Sequence, residues 1–167
     1  MALTTAELIG TPAEGTDLNE NIEIGIKATG ASSAIPVGRV AVLGAGEWAI
    51  ATDGSVGRMG IIPKLDPVNV DGDDTLQVAT GIGSEWYVEF SASVTYGARC
   101  APSSGGKLKT FTASDVTATP TEATIETAVR DFERAPFTYR GHYGEGSGLY
   151  NKPSTVTSGQ AGRVRIG

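Results

Sequence analysis

Apolar and polar residues alternate with a period of two along much of this chain, the pattern of strands with one covered face. Ile22, Ile24 and Ile26 alternate with Glu23, Gly25 and Lys27, which predicts a strand half-buried on its isoleucine face. Val40 and Val42 alternate with Arg39 and Ala41, and beyond Gly44-Ala45-Gly46 the phase resumes with Trp48 and Ile50. Residues 58–62 predict a short strand ended by Pro63. Leu76 and Val78 form the next alternating run, and Gly81-Ile82-Gly83 turns it into Trp86, Val88 and Phe90. Val94 and Tyr96 extend that run past a bend, and the chain ends on an alternating strand from Ala161 to Ile166. Trp48, Trp86 and Phe90 fall in the apolar phase and are expected in the core. Tyr87 and Tyr96 are the aromatics expected outside.

The period becomes helical once. Ile125, Ala128, Val129 and Phe132 stand at i, i+3, i+4 and i+7, a single apolar stripe. Thr119 is the expected N-cap, with Pro120 at the first helical position and Glu122 completing a capping box. Arg134 suits the negative end of the helix, and Pro136 stops it. In a strand-dominated chain this helix is expected to lie against the open side of a sheet or barrel. Ser103 to Gly106 reads as a turn, residues 110–121 as a flexible connection and residues 137–160 as loop. Residues 1–21 carry four acids and no base, with only Leu3, Leu8, Ile9 and Leu18 as sizeable apolar residues after Met1. They read as an extended or mobile arm with little to anchor it. The expected organisation is an arm at 1–21 and a β-rich domain at 22–167, with a helix-containing insertion at about 110–160.

The stretch 37–52 also fits a second pattern. Gly44, Gly46 and Ala49 follow a strand with the G-x-G-x-x-A spacing of a dinucleotide-binding turn, and Asp66 lies about 20 residues on. That fold needs a helix beginning at Gly46 to hold the pyrophosphate. Gly54, Gly57, Gly60 and Pro63 follow instead, and each interior glycine costs a helix about 1 kcal/mol and an interior proline about 3. The stretch is a hairpin.

Composition narrows the function classes. The chain has 167 residues, which suits one compact domain, and its 23 glycines and 8 prolines suit many turns. Cys100 is the only cysteine, so an intramolecular disulfide and a cysteine zinc site are excluded. No apolar run approaches the roughly 20 residues of a membrane helix, and no basic-then-apolar leader opens the chain, so synthesis in a cytoplasm is expected. The net charge is −6, and an acidic surface does not suit wrapping nucleic acid. The charge is unevenly spread: residues 1–98 hold thirteen acids and four bases, residues 99–167 six acids and nine bases. That asymmetry serves solubility, or complementarity between subunits.

Candidate chemistry is thin. Cys100 with His142 is the weakest form of a thiolate–imidazolium pair, and nothing around Cys100 resembles a nucleophile elbow. Asp66, Asn69, Asp71, Asp73 and Asp74 lack the spacing of a calcium loop. Glu85 and Glu89 share one strand face, the ordinary arrangement of solvent-facing acids. No catalytic residue, metal ligand or cofactor motif is therefore expected, and the chain is not expected to be an enzyme.

Three segments resemble the capsid decoration (cement, or head-stabilising) proteins of tailed bacteriophages. They are Val37-Gly38-Arg39-Val40-Ala41-Val42-Leu43, Gly57-Arg58-Met59-Gly60-Ile61-Ile62 and Ala161-Gly162-Arg163-Val164-Arg165-Ile166. The chain is expected to be mainly β: the resemblance implies a small β-barrel or β-tulip-like domain with an extended N-terminal arm, to which the one amphipathic helix near 120–134 and the loop 137–160 look like additions. The resemblance also implies a structural virion protein, a homotrimer on the outer capsid surface that clamps neighbouring major capsid protein subunits, with no membrane partner. The arm from Thr4 to Asn21 would bind by β-addition or by laying Leu8 and Ile9 into a groove. Its candidate partner-binding residues are Thr4, Leu8, Ile9, Leu18 and Asn21. A carbohydrate-binding or adhesive β-domain on a virion or cell surface is the alternative reading.

Overall fold

A computed structural model describes residues 4–13, 16, 21–28, 36–64, 75–113, 119–142 and 155–167. After a single helical turn, α1 (Thr5–Leu8), come five strands that close into a small barrel in the order β1-β3-β2-β4-β5. These are β1 (Ile22–Lys27), β2 (Val40–Gly44), β3 (Glu47–Ile50), β4 (Met59–Ile61) and β5 (Thr75–Ala79). All pairings are antiparallel except β1 with β3. A second sheet follows in the order β6-β10-β9-β7-β8, from β6 (Glu85–Glu89), β7 (Arg99–Pro102), β8 (Leu108–Thr110), β9 (Phe137–His142) and β10 (Ala161–Ile166). Its outer strands curl toward each other, since Ser91 N–H donates to the Leu108 carbonyl at 2.8 Å. The helix α2 (Glu122–Arg134) lies between β8 and β9 in sequence.

The barrel interior is small and filled by one large ring. Trp48, Ala41, Ile62, Leu76 and Val78 are buried there together. Opposite Trp48, β1 supplies Gly25, where a Cβ would stand 2.2 Å from Trp48 Cδ1. The other face of β2 and β4 turns toward the second sheet. Val40, Met59 and Ile61 meet Trp86, Phe90, Phe137 and Val164 in a core that both sheets share. Phe90 and Tyr139 pack edge to face within it, with centroids 5.4 Å apart. The 37–52 hairpin forms as expected: Gly44 pairs with Glu47 around Ala45 and Gly46, at φ 51 and 87. Two positive φ values make the primed turn that matches strand twist.

Several expectations need correction. The isoleucine face of β1 is not its covered face: Ile24 and Ile26 are 73% and 57% exposed, and only Ile22 packs on the shared core. The barrel has no room for them beside Trp48. The segment expected to be loop contains β9, a strand between β10 and β7, so residues 137–142 belong to the sheet rather than to an insertion. The helix begins at Glu122, capped by Thr121 rather than Thr119: the Thr121 hydroxyl accepts from Thr124 N–H at 3.4 Å. Its side turned to the body carries buried Asp131 and half-buried Thr124 and Thr127, whereas Ile125 and Val129 are 50% and 59% exposed. Ile125 and Val129 therefore do not lie against a sheet or barrel.

Candidate functional site

The arm is anchored where it is described. The Thr4 N–H and hydroxyl both donate to Glu7 Oε2, at 2.7 and 2.8 Å, which starts α1 and holds the Glu7 carboxyl below its usual range. Leu8 is buried against Tyr87, Ala161 and Ala13, and Ile9 packs beside them. Residues 10–13 then pair along β6: Gly10 N–H donates to the Tyr87 carbonyl at 2.7 Å and Ala13 N–H to the Glu85 carbonyl at 2.8 Å. This is β-addition, but onto the chain's own sheet. The expectation that nothing anchors this segment fails for residues 4–13, and Leu8 and Ile9 are already packed rather than free for a neighbour's groove. Tyr87, expected outside, is covered for the same reason. The Asn21 carbonyl accepts from Thr80 N–H at 2.9 Å. Leu18 lies outside the described residues, as do Asp66, Asn69, Asp71, Asp73 and Asp74.

Cys100 is a core residue of β7, and burial pushes its thiol from 9.0 up to about 12. A thiol buried in this way is held protonated at neutral pH. His142 ends β9, on the same sheet. Among the described residues no group of three or more His, Cys, Asp or Glu could hold a metal ion, and no helix is long and apolar enough to cross a membrane.

Two kinds of surface remain. The first is apolar: Ile24 and Ile26 on the barrel wall, and Ile125 and Val129 on α2. Sequence reasoning missed the outward set on β1 because the decisive partner, Trp48, comes from β3. The signal available was Gly25, a residue with no side chain in a strand otherwise rich in isoleucine. The second is ionic. Glu85 and Glu89 do share one face of β6; Glu85 meets bases of β9 and β10, and Glu89 meets Arg39 and Lys107, which stand just before β2 and β8. Glu89 binds Arg39 at 2.6 Å and Lys107 at 2.5 Å. Glu85 lies 3.1 Å from Arg163 Nε and 3.7 Å from Arg140 Nε. The Arg140 guanidinium also lies 6.0 Å from the centroid of Tyr96, the aromatic that is exposed as expected.

No protein-family model matches the chain, and no curated protein matches it.

Proposed function

We propose that this chain is a structural virion protein that binds the outer surface of a bacteriophage capsid and clamps neighbouring major capsid protein subunits, acting as a homotrimer. The observation that carries the reading is the outward placement of Ile24, Ile26, Ile125 and Val129. β-branched residues held in water by two different elements suit a protein that is covered by others when it works. A trimer buries part of this surface, and the shell buries more. Each copy adds a modest contact, and many copies on one shell act together through avidity. The three motif-bearing segments support the reading, since they fall on β2, β4 and β10, strands that pack on the core shared by both sheets. The described part of the arm, docked on β6, thickens the body rather than reaching out from it, so the clamping surfaces in this reading are the apolar faces.

Heads stripped of accessory proteins and reloaded with the pure chain should withstand heating that bursts bare heads. An unchanged bursting temperature at saturating protein would contradict the proposal.

A further inference from the structure

The outer face of the second sheet gathers several arginines. Val164 and Ile166 point into the shared core, so Arg163 and Arg165 point out. Phe137 and Tyr139 likewise point in, which turns Arg140 outward on the neighbouring strand. Arg165 pairs in register with Glu85 across β10 and β6. Glu85 thus stands between the guanidinium groups of Arg140 and Arg163, with Arg165 its register partner on β10, in a chain whose net charge is −6. Its neutralisation of them is incomplete in geometry as well as number. The Nε atoms of Arg140 and Arg163 approach Glu85, yet both are closed off from water without a hydrogen bond. Arg163 is partly tied, its Nη2 donating to the Arg140 carbonyl at 3.3 Å. Arg165 is exposed and Arg140 half-buried.

We infer that this face, Arg140 and Arg165 around Glu85 with Tyr96 beside them, docks an acidic loop of a protein partner. An aspartate or glutamate side chain is a planar acceptor that matches the fork of a guanidinium. A nucleic acid fits less well. Its phosphates repeat along a strand, and a duplex or single strand crossing this face would run against Glu85. A short loop reaches the arginines and leaves that carboxylate aside. The inference rests on the capsid reading only for the partner's identity: in that reading the loop belongs to the shell subunit, and docking supplies the charge-steered part of binding.

The full-length chain is compared with Arg165→Glu, with Arg140→Gln plus Arg165→Glu, and with Arg165→Lys. The probes are immobilised poly-L-glutamate, duplex DNA and stripped phage heads. Circular dichroism and melting temperature confirm that each variant is folded. The expected result is retention on poly-L-glutamate at low salt and release as salt rises. Each charge change should weaken it by about tenfold, and Arg165→Lys should stay near wild type. Loss of head binding in the same variants would agree. Heads that bind the wild type and the double variant equally would overturn the inference while leaving the capsid reading intact. If the wild type ignores heads but its retention on poly-L-glutamate still depends on Arg140 and Arg165, the capsid reading fails and the acidic-partner inference stands. Tighter, arginine-dependent retention on duplex DNA than on poly-L-glutamate would also overturn it.

Discussion

A Cβ at Gly25 would lie 2.2 Å from Cδ1 and 2.3 Å from Nε1 of Trp48, so the barrel interior is closed by the absence of one side chain. Gly25→Ala forces that ring aside, and overpacking of this kind costs about 1–3 kcal/mol. The urea midpoint should fall and the tryptophan emission should shift; an unchanged midpoint with unchanged emission would contradict the packing described. A second residue-scale prediction concerns alkaline pH. Burial raises the Cys100 thiol from 9.0 to about 12 and the Tyr139 phenol from 10.0 to about 12. Both groups hold their protons more tightly in the folded chain than in the unfolded one. The stability they contribute is therefore complete below about pH 9 and is lost as the pH climbs toward about 12. The urea midpoint should drop across that window, and less steeply in Tyr139→Phe, which keeps the ring packed on Phe90. A flat midpoint across the window would count against the buried thiol and phenol.

At the scale of elements, α2 is the piece whose sequence and setting disagree most. Its stripe was legible, because Ile125, Ala128 and Val129 repeat at helical spacing. What the stripe faces was not, because that depends on how Ala135 and Pro136 lead the chain into β9. There Arg99 Nη2 donates to the Ala135 carbonyl at 2.9 Å and fixes the helix end with buried Asp131 toward the body. Ile125→Ser with Val129→Ser should leave the melting temperature of the isolated chain nearly unchanged, within about 0.5 kcal/mol of wild-type stability. A loss of several kcal/mol would mean that the stripe is packed after all. The β2–β3 hairpin was legible in full, since its signal is local: alternating residues and a turn whose second position, Gly46, tolerates positive φ. β7 and β8 span only four and three residues, and such short runs become strands through pairing with distant partners, as Arg99 does with Thr138. β9 is different: Phe137 and Tyr139 alternate with Thr138 and Arg140, a local signal interrupted by Gly141.

At the scale of the molecule, a closed barrel and a curled sheet share one core and are tied across their joint by charge. Arg39 precedes β2 of the barrel and meets Glu89 of β6, while Lys109 of β8 reaches Asp53 beyond β3 at 2.7 Å. The uneven charge visible in sequence thus has an address. Arg99, Lys109, Arg140, Arg163 and Arg165 of the second half lie on the second sheet, some meeting acids of the first half and Arg165 exposed. For function the sequence offers only a resemblance carried by short motifs. The candidate surfaces were not legible, because Ile24 and Ile26 look like core residues until the barrel closes around Trp48. The central claim is that this molecule works on the outside of a phage head, and co-sedimentation tests it most directly. Purified chain is titrated onto expanded heads, stripped of accessory proteins, from the phage that encodes it. Binding should saturate at a fixed ratio to the major capsid protein. Absence of binding at micromolar protein would contradict that claim and would turn attention to glycan binding.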